Sequence, residues 1–328
     1  MTAIKPVQEC WDALREYQEE TPGLRTLPVK EYNGREIRAG ILFPDRTETL
    51  LLGFQECFPQ ELPQGHGFCV RKVDAHSIDT SKNWLAIIRH TRGDKAIFAT
   101  MAEDLCTVLE TRRISTALFL ERIRAWQEFM ASGKTPAMSR QTETGLFGEI
   151  IILKKLMERL GDRKAILGWK GPDGGLQDFR FDDFTLEVKT CSSSKGFPVT
   201  IDNLEQLDES LAPAPLYLAG VRLLPAENGL SLSELIDELS EKLLPDPDLM
   251  QRFERLLIRG GYISVPAKKL REFTIGEILI YPVTSNLPHF CRSTVPDTFL
   301  QVSYTIDLEK TALSSVSLSD VIKGCNHE

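Results

Sequence analysis

The chain has 328 residues, 42% of them hydrophobic and 26% charged, and a formal net charge of -8. That is enough chain for two packed units, and no apolar run approaches the roughly 20 residues of a membrane span, so the composition points to a cytoplasmic chain with no membrane partner. The acidic balance excludes a DNA binder held by a global positive field, because non-specific affinity comes mainly from neutralising phosphates; any such contact has to use local basic groups.

Val7 to Glu20 reads as an acidic helix. From Leu24 to about Thr100, alternating stretches at Glu36 to Phe43, Thr47 to Phe54, Gly67 to Asp74 and Trp84 to Ile88 predict an antiparallel β unit, with Pro44-Asp45-Arg46 as a turn. Helical periodicity follows over Glu103 to Thr111 and Ser115 to Met130, and Ser132 to Pro136 marks a boundary. Residues 1–131 are thus expected to form a β-rich domain ending in helices. Thr144 to Leu160 predicts a helix with Thr142 or Thr144 as N-cap and Gly161 past its end. Asp162-Arg163-Lys164 reads as a solvated loop and Gly171 to Gly175 as a turn feeding a strand. A core is expected over 140–225, with a helix at Asn203 to Ser210 and a buried strand at Leu216 to Leu223. Residues 226–328 form a C-terminal α+β region. Its helices are expected at Ser231 to Leu244 and Asp248 to Ile258, and its strands at Tyr262 to Val265, Glu277 to Val283 and Phe299 to Asp307. The fold class is α/β, mixed.

The chemistry concentrates in GPDGGLQDFRFDDFTLEVKT. Phe179, Phe181, Phe184, Leu186 and Val188 are the apolar half of a period-two alternation, which puts Asp178, Glu187 and Lys189 on the polar half. With Asp182-Asp183 as a two-residue hairpin loop, Phe179 pairs with Leu186 and Asp178 lies opposite Glu187. Two carboxylates facing each other are destabilising unless a proton or a cation lies between them. Oxygen ligands on strands suit Mg²⁺, with Mn²⁺ as a substitute, and Lys189 on the same face is placed to meet a scissile phosphate or orient water. Leu146, Ile152 and Leu153 place Glu149 within the apolar stripe of its helix, where a carboxylate needs a partner to stay ionised. The plainer alternative makes Glu187 and Lys189 an exposed ion pair and Glu149 a paired core acid.

Glu149 in LFGE, Gln177-Asp178-Phe179, Glu187-Val188-Lys189-Thr190 and the later Val302 to Leu308 occur in an order that resembles the PD-(D/E)XK nuclease superfamily. The closer likeness is to a bacterial branch often encoded beside DNA methyltransferases and ATPases of restriction or phage-defence clusters. The resemblance implies a restriction-endonuclease-like core, a central mixed sheet flanked by helices. It also implies a Mg²⁺-dependent DNA endonuclease that leaves a 5′-phosphate, with Asp178, Glu187 and Glu149 at the metal and Lys189 as the catalytic cation. Gln177 stands where the superfamily's nominal Pro would be. Gln206 resembles a polar residue that some members place near substrate.

Further substrate contacts are expected from Gln177 before the hairpin, from Thr190 and Lys195 at and after the end of the Glu-x-Lys motif, and from Arg259, Lys268 and Lys269 in the basic stretch that also holds Arg252, Arg255 and Arg271. The expected partners are DNA, methyltransferase or ATPase subunits, and a second copy of the chain for double-strand cleavage. The alternative in another class is a catalytically silent DNA-binding or scaffolding subunit. The five scattered histidines and seven dispersed cysteines show no metal-ligand spacing, which disfavours a zinc site or a disulfide framework.

Overall fold

The computed structural model describes residues 7–17, 21–63, 67–74, 78–109, 116–131, 138–262, 271–296 and 298–324. It is a mixed α/β protein of two compact units, Met1–Ala137 with Leu257–Ala267, and Met138–Leu256 with Lys268–Glu328. Residues 140–225 and 226–328, read separately from the sequence, therefore share one unit apart from 257–267. Among the described residues no helix is long and apolar enough to cross a membrane.

The first unit holds α1 (Val7–Arg15), then β1 (Gly23–Tyr32), β2 (Arg35–Phe43), β3 (Thr47–Phe54), β4 (Phe68–Val73) and β5 (Asn83–Arg89), then α2 (Lys95–Leu109) and α3 (Thr116–Ala131). Its strands form one antiparallel sheet in the order β1-β2-β3-β5-β4. The sequence marked four of these strands to within a residue or so, although β3 is buried along its whole length rather than on one face. Trp11 of α1 donates its indole N–H to the Thr49 carbonyl (3.1 Å). Asp104 of α2, fully buried, is satisfied by Arg122 of α3 through two hydrogen bonds (2.8 and 2.6 Å) and by the Trp126 indole (2.7 Å), as a buried charge requires.

The second unit opens with α4 (Arg140–Leu160) and α5 (Asp162–Gly168), followed by β6 (Phe179–Arg180), β7 (Thr185–Cys191) and β8 (Pro198–Ile201). Next come β9 (Leu216–Ser231), α6 (Leu232–Leu243), α7 (Pro247–Arg259), β10 (Glu272–Pro282), β11 (Tyr304–Asp307) and α8 (Leu318–Gly324). From Leu257 onward the residues of α7 are assigned to the first unit. The sheet order is β10-β9-β7-β6, with β7 parallel to β9 and the outer pairings antiparallel. β8 pairs with β11 in a sheet of their own.

Several expectations are corrected. The N-cap of α4 is Ser139, whose side chain accepts from the Thr142 N–H (3.0 Å), three residues before Thr142 and five before Thr144, the two expected caps. Asp162-Arg163-Lys164 opens α5; a Gly that ends one helix here separates it from another. Asn203 to Ser210 is a run of turns closed by a short 3₁₀ segment, Glu209–Leu211, and the Asn203 side chain accepts from the Gln206 N–H (3.0 Å) within it. The strand expected at Phe299 to Asp307 begins at Tyr304, and most of that expected at Tyr262 to Val265 lies outside the described residues.

Two contacts position the Glu-x-Lys strand. Arg222 of β9 donates to Ser193 and Gly196 carbonyls in the segment after β7, pairs with Glu277 of β10 (2.8 Å) and Glu309 (2.5 Å), and lies 4.5 Å from the Phe197 ring centroid. On the opposite side of the strand, α4 approaches β7 so closely that a Cβ on Gly148 would overlap Thr190 Cγ2. Ala is favoured over Gly in a helix by up to about 1 kcal/mol, whereas overpacking costs roughly 1 to 3 kcal/mol. Gly148→Ala is therefore expected to lower the urea midpoint, and Thr190→Ser in the same chain to recover part of the loss. An unchanged midpoint in the single variant contradicts the close approach.

Candidate active site

The hairpin sets the geometry. Phe179 pairs with Leu186 and Arg180 with Thr185, the Phe181 N–H bonds the Phe184 carbonyl (2.9 Å), and the rings of Phe181 and Phe184 lie 4.6 Å apart. This is the register that the alternation predicts, and one step further it sets Asp178 against Glu187. Asp178 is fixed twice: its carbonyl accepts from the Lys170 (2.7 Å) and Gly171 (3.0 Å) N–H groups, and its Oδ2 accepts from the Val188 N–H (2.7 Å).

Glu149 reaches the same place from α4, where its Oε2 accepts from the Trp169 indole N–H (2.7 Å). Gly171 marks where the two acids meet. A Cβ there would stand 2.6 Å from Asp178 Oδ1 and 2.7 Å from Glu149 Oε2, so both carboxylates crowd one point that only a glycine leaves open. Glu187 is buried, at 2% exposure. Its Oε1 lies 3.0 Å from Lys189 Nζ, and its Oε2 is buried with no hydrogen-bond partner among the described residues. The exposed ion pair of the plainer alternative is thus absent: the Glu187–Lys189 pair exists, but inside the protein. Lys189 Nζ also donates to Gln206 Oε1 (3.1 Å) and lies 3.5 Å from Asp202 Oδ2, while the Asp202 N–H bonds the same Gln206 oxygen (3.0 Å).

The electrostatics follow from three acids sharing one ammonium. Burial pushes Asp178 up to about 6 against the Val188 hydrogen bond and the charge of Lys189. Burial and then the Asp178 charge hold Glu187 well above the usual carboxylate range, and the same two causes raise Glu149. Burial works against the charge on Lys189, but Glu187, Asp178 and Asp202 together keep it above its ordinary value. The cluster is short of positive charge.

The remaining expected residues sort by position. Gln177 is fully buried; its Nε2 donates to the Glu205 carbonyl (3.4 Å) and its Oε1 finds no partner. Thr190 faces Gly148 with its methyl, and Lys195 is exposed in a turn closed by the Ser193 hydroxyl. Arg259 belongs to the first unit and pairs with Glu128 (2.6 Å), so it is not part of the cluster. Lys268 and Lys269 lie outside the described residues. The basic stretch is consequently no single patch: Arg271 binds Glu143 (3.0 Å) and Arg252 faces Asp173 (3.6 Å). Sequence reading missed Trp169 and Asp202. The available signal for Trp169 was its place beside the Gly-rich turn, since a buried indole N–H has to find an acceptor.

The residues fit Mg²⁺ by their chemistry. All donors are carboxylate oxygens, Glu187 Oε2 is an orphan, and the crowding at Gly171 leaves like charges uncompensated, which fits a hard divalent cation. Among the described residues no three Asp, Glu, His or Cys side chains are gathered as a ready metal-ligand group. Such closure suits zinc better than Mg²⁺, which takes one or two carboxylates with waters and substrate oxygens.

Asp178 gives a pH signature. Its native pKa of about 6 exceeds the ordinary 3.8, so the folded metal-free protein holds a proton that the unfolded chain has released, and stability falls as pH rises through that window. Asp178→Asn keeps a hydrogen-bond acceptor for Val188 without the charge. It is expected to melt several degrees above wild type at pH 8 in EDTA, with the gap closing towards pH 4; a gap independent of pH contradicts the raised pKa.

Comparison with known proteins bears on the family. No curated protein and no solved structure matches the chain. One family model matches residues 7–309, nearly the whole sequence. The chain belongs to the family described as "Putative PD-(D/E)XK family member (DUF4420)".

Proposed function

We propose that this protein is a Mg²⁺-dependent DNA endonuclease whose active site is Asp178, Glu187, Lys189 and Glu149. The observation that carries this reading is Glu187 Oε2, a buried carboxylate oxygen without a partner, next to two further acids and one lysine. Leaving charge in that state costs several kcal/mol unless it is compensated. A scaffold subunit gains nothing from it, whereas a metal-dependent hydrolase needs it.

Asp178 and Glu187 would hold the metal, with Glu149 as an auxiliary ligand or, through the Trp169 hydrogen bond, an acid that orients ligand water. When bound, Mg²⁺ supplies Lewis-acid stabilisation of the charge developing on the phosphate and favours ionisation of the attacking water. The other roles belong to the chain itself. Lys189 is kept protonated by Glu187 and aimed by Gln206, and its ammonium is placed to stabilise phosphate oxygens as they gain charge. Gln206 is thus a positioning residue. Gln177, with a buried free oxygen beside Asp178, offers an acceptor to a water or ligand at the metal edge.

A cytoplasmic role in restriction or phage defence, with methyltransferase or ATPase partners, follows from the resemblance and belongs to the same proposal. Cutting both strands calls for two such sites, hence a second copy of the chain or a larger assembly.

Plasmid incubated with the protein in Mg²⁺ or Mn²⁺ should be cut, with EDTA abolishing cleavage. Asp178→Ala, Glu187→Gln and Lys189→Ala should each lose at least about 100-fold in rate, the scale for removing preorganised charge stabilisation. Mn²⁺ should raise the melting temperature of wild type and Lys189→Ala but not of Asp178→Asn. Cutting that survives Asp178→Ala and Lys189→Ala refutes this assignment.

A further inference from the structure

The carboxylate cluster has a cationic counterpart on the other side of Gly171. Lys170, Arg180 and Arg252 lie close enough that Lys170 feels both arginines, and Asp173 is the one acid opposing them at that lysine. Arg252 Nη2 stands 3.6 Å from Asp173 Oδ2, at the outer limit of an ion pair, and its Nε is buried with no acceptor. Neither the Lys170 nor the Arg180 side chain makes a hydrogen bond or ion pair among the described residues. Both line a cleft of about 620 Å³ between α5 and the start of the hairpin. The cleft's other cations are already engaged, Arg163 with Asp246 (2.9 Å) and Lys164 with Asp183 (3.4 Å). Three cations against two carboxylates, Asp173 and the Asp182 that lines the same cleft, leave a local excess of positive charge and unfilled donors in a chain of net charge -8.

We infer that Lys170, Arg180 and Arg252 form a seat for a non-scissile backbone phosphate of duplex DNA. The inference rests on the nuclease reading above and deepens it. Lys170 is tied to the catalytic strand, since its N–H and that of Gly171 both bond the Asp178 carbonyl. Trp169, one residue earlier, holds Glu149 and packs on Phe253, the neighbour of Arg252 on α7, at 6.1 Å between ring centroids. An anion seated on Lys170 is therefore held in fixed relation to the metal-binding acids. A small anion fills one of the two sites; a polymer with repeating phosphates fills both. Guanidinium forks add bidentate recognition of phosphate oxygens, and Lys170 a point charge.

Fluorescence anisotropy of a labelled DNA duplex, with Ca²⁺ replacing Mg²⁺, measures the seat without cleavage. Lys170→Gln, Arg180→Gln and Arg252→Gln are each expected to weaken binding about three- to tenfold and to reduce the slope of log Kd against log salt by about one. Lys170→Arg should keep the slope, and Lys155→Gln, an exposed lysine on α4, should change neither quantity. Unchanged affinity and slope in all three Gln variants, with wild type binding and cutting DNA, overturns the seat and leaves the nuclease reading standing. Failure of wild type to bind or cut DNA overturns both.

Discussion

Burial of three carboxylates beside one lysine is the constraint on which the second unit depends. Each acid arrives on a different element: Glu149 on α4, Asp178 at the mouth of the β6–β7 hairpin, and Glu187 on β7. Bringing them together requires that these elements approach closely, and two glycines permit it. Gly148 lets the helix lie against Thr190, and Gly171 leaves room for the oxygens of Asp178 and Glu149. The acids are then held individually by the Trp169 indole, the Val188 N–H and Lys189. Trp169 and Val188 donate hydrogen bonds without carrying charge, so only the Lys189 ammonium offsets the three acids. The framework fixes the acids and leaves their repulsion in place, an arrangement that stores binding free energy for a cation.

Legibility of this site in the sequence followed interaction range. The β6–β7 register was readable because a two-residue loop and period-two alternation fix it locally, over ten residues. Glu149 was readable because its neighbours at helical spacing are apolar. Trp169 was not, since its indole serves a carboxylate twenty positions away, and no local periodicity encodes that contact. Gln206 was singled out by resemblance, yet its segment was expected to be helical. The segment is a run of turns instead, and in it one Gln206 oxygen accepts from both Lys189 and the Asp202 N–H. Basic residues were the least readable. Clustering along the chain suggested one patch at 252–271, but Arg259 and Arg271 are spoken for by Glu128 and Glu143, while Lys170 and Arg180, isolated in sequence, meet Arg252 in space.

The C-terminal segment has a structural part in the same site. β11 pairs with β8, the Asp307 side chain accepts from the Phe197 N–H (2.8 Å), and the Leu308 N–H bonds the Phe197 carbonyl (2.9 Å). Arg222 gathers Ser193, Gly196, Glu277 and Glu309 around the same turn. The stretch that leaves the Glu-x-Lys strand is thereby pinned by residues about a hundred positions further on. The family match takes in these later residues, reaching 309, and without the later strand the loop beside Lys189 loses its anchor.

The charge balance of the whole chain bears on how an acidic protein can approach DNA at all. A net charge of -8 repels a polyanion at long range, and the acids of the site add to that repulsion until a cation is bound. Screening confines the repulsion to about 8 to 10 Å at physiological salt, so contact depends on what a phosphate meets at close quarters. On the proposed function it would meet both signs within a few residues around Gly171: acids that would take up a metal, and the cations of the proposed phosphate seat. Under the proposed function, metal binding and substrate binding would reinforce each other, because neutralising the acids removes the local repulsion that the cationic seat would otherwise have to overcome.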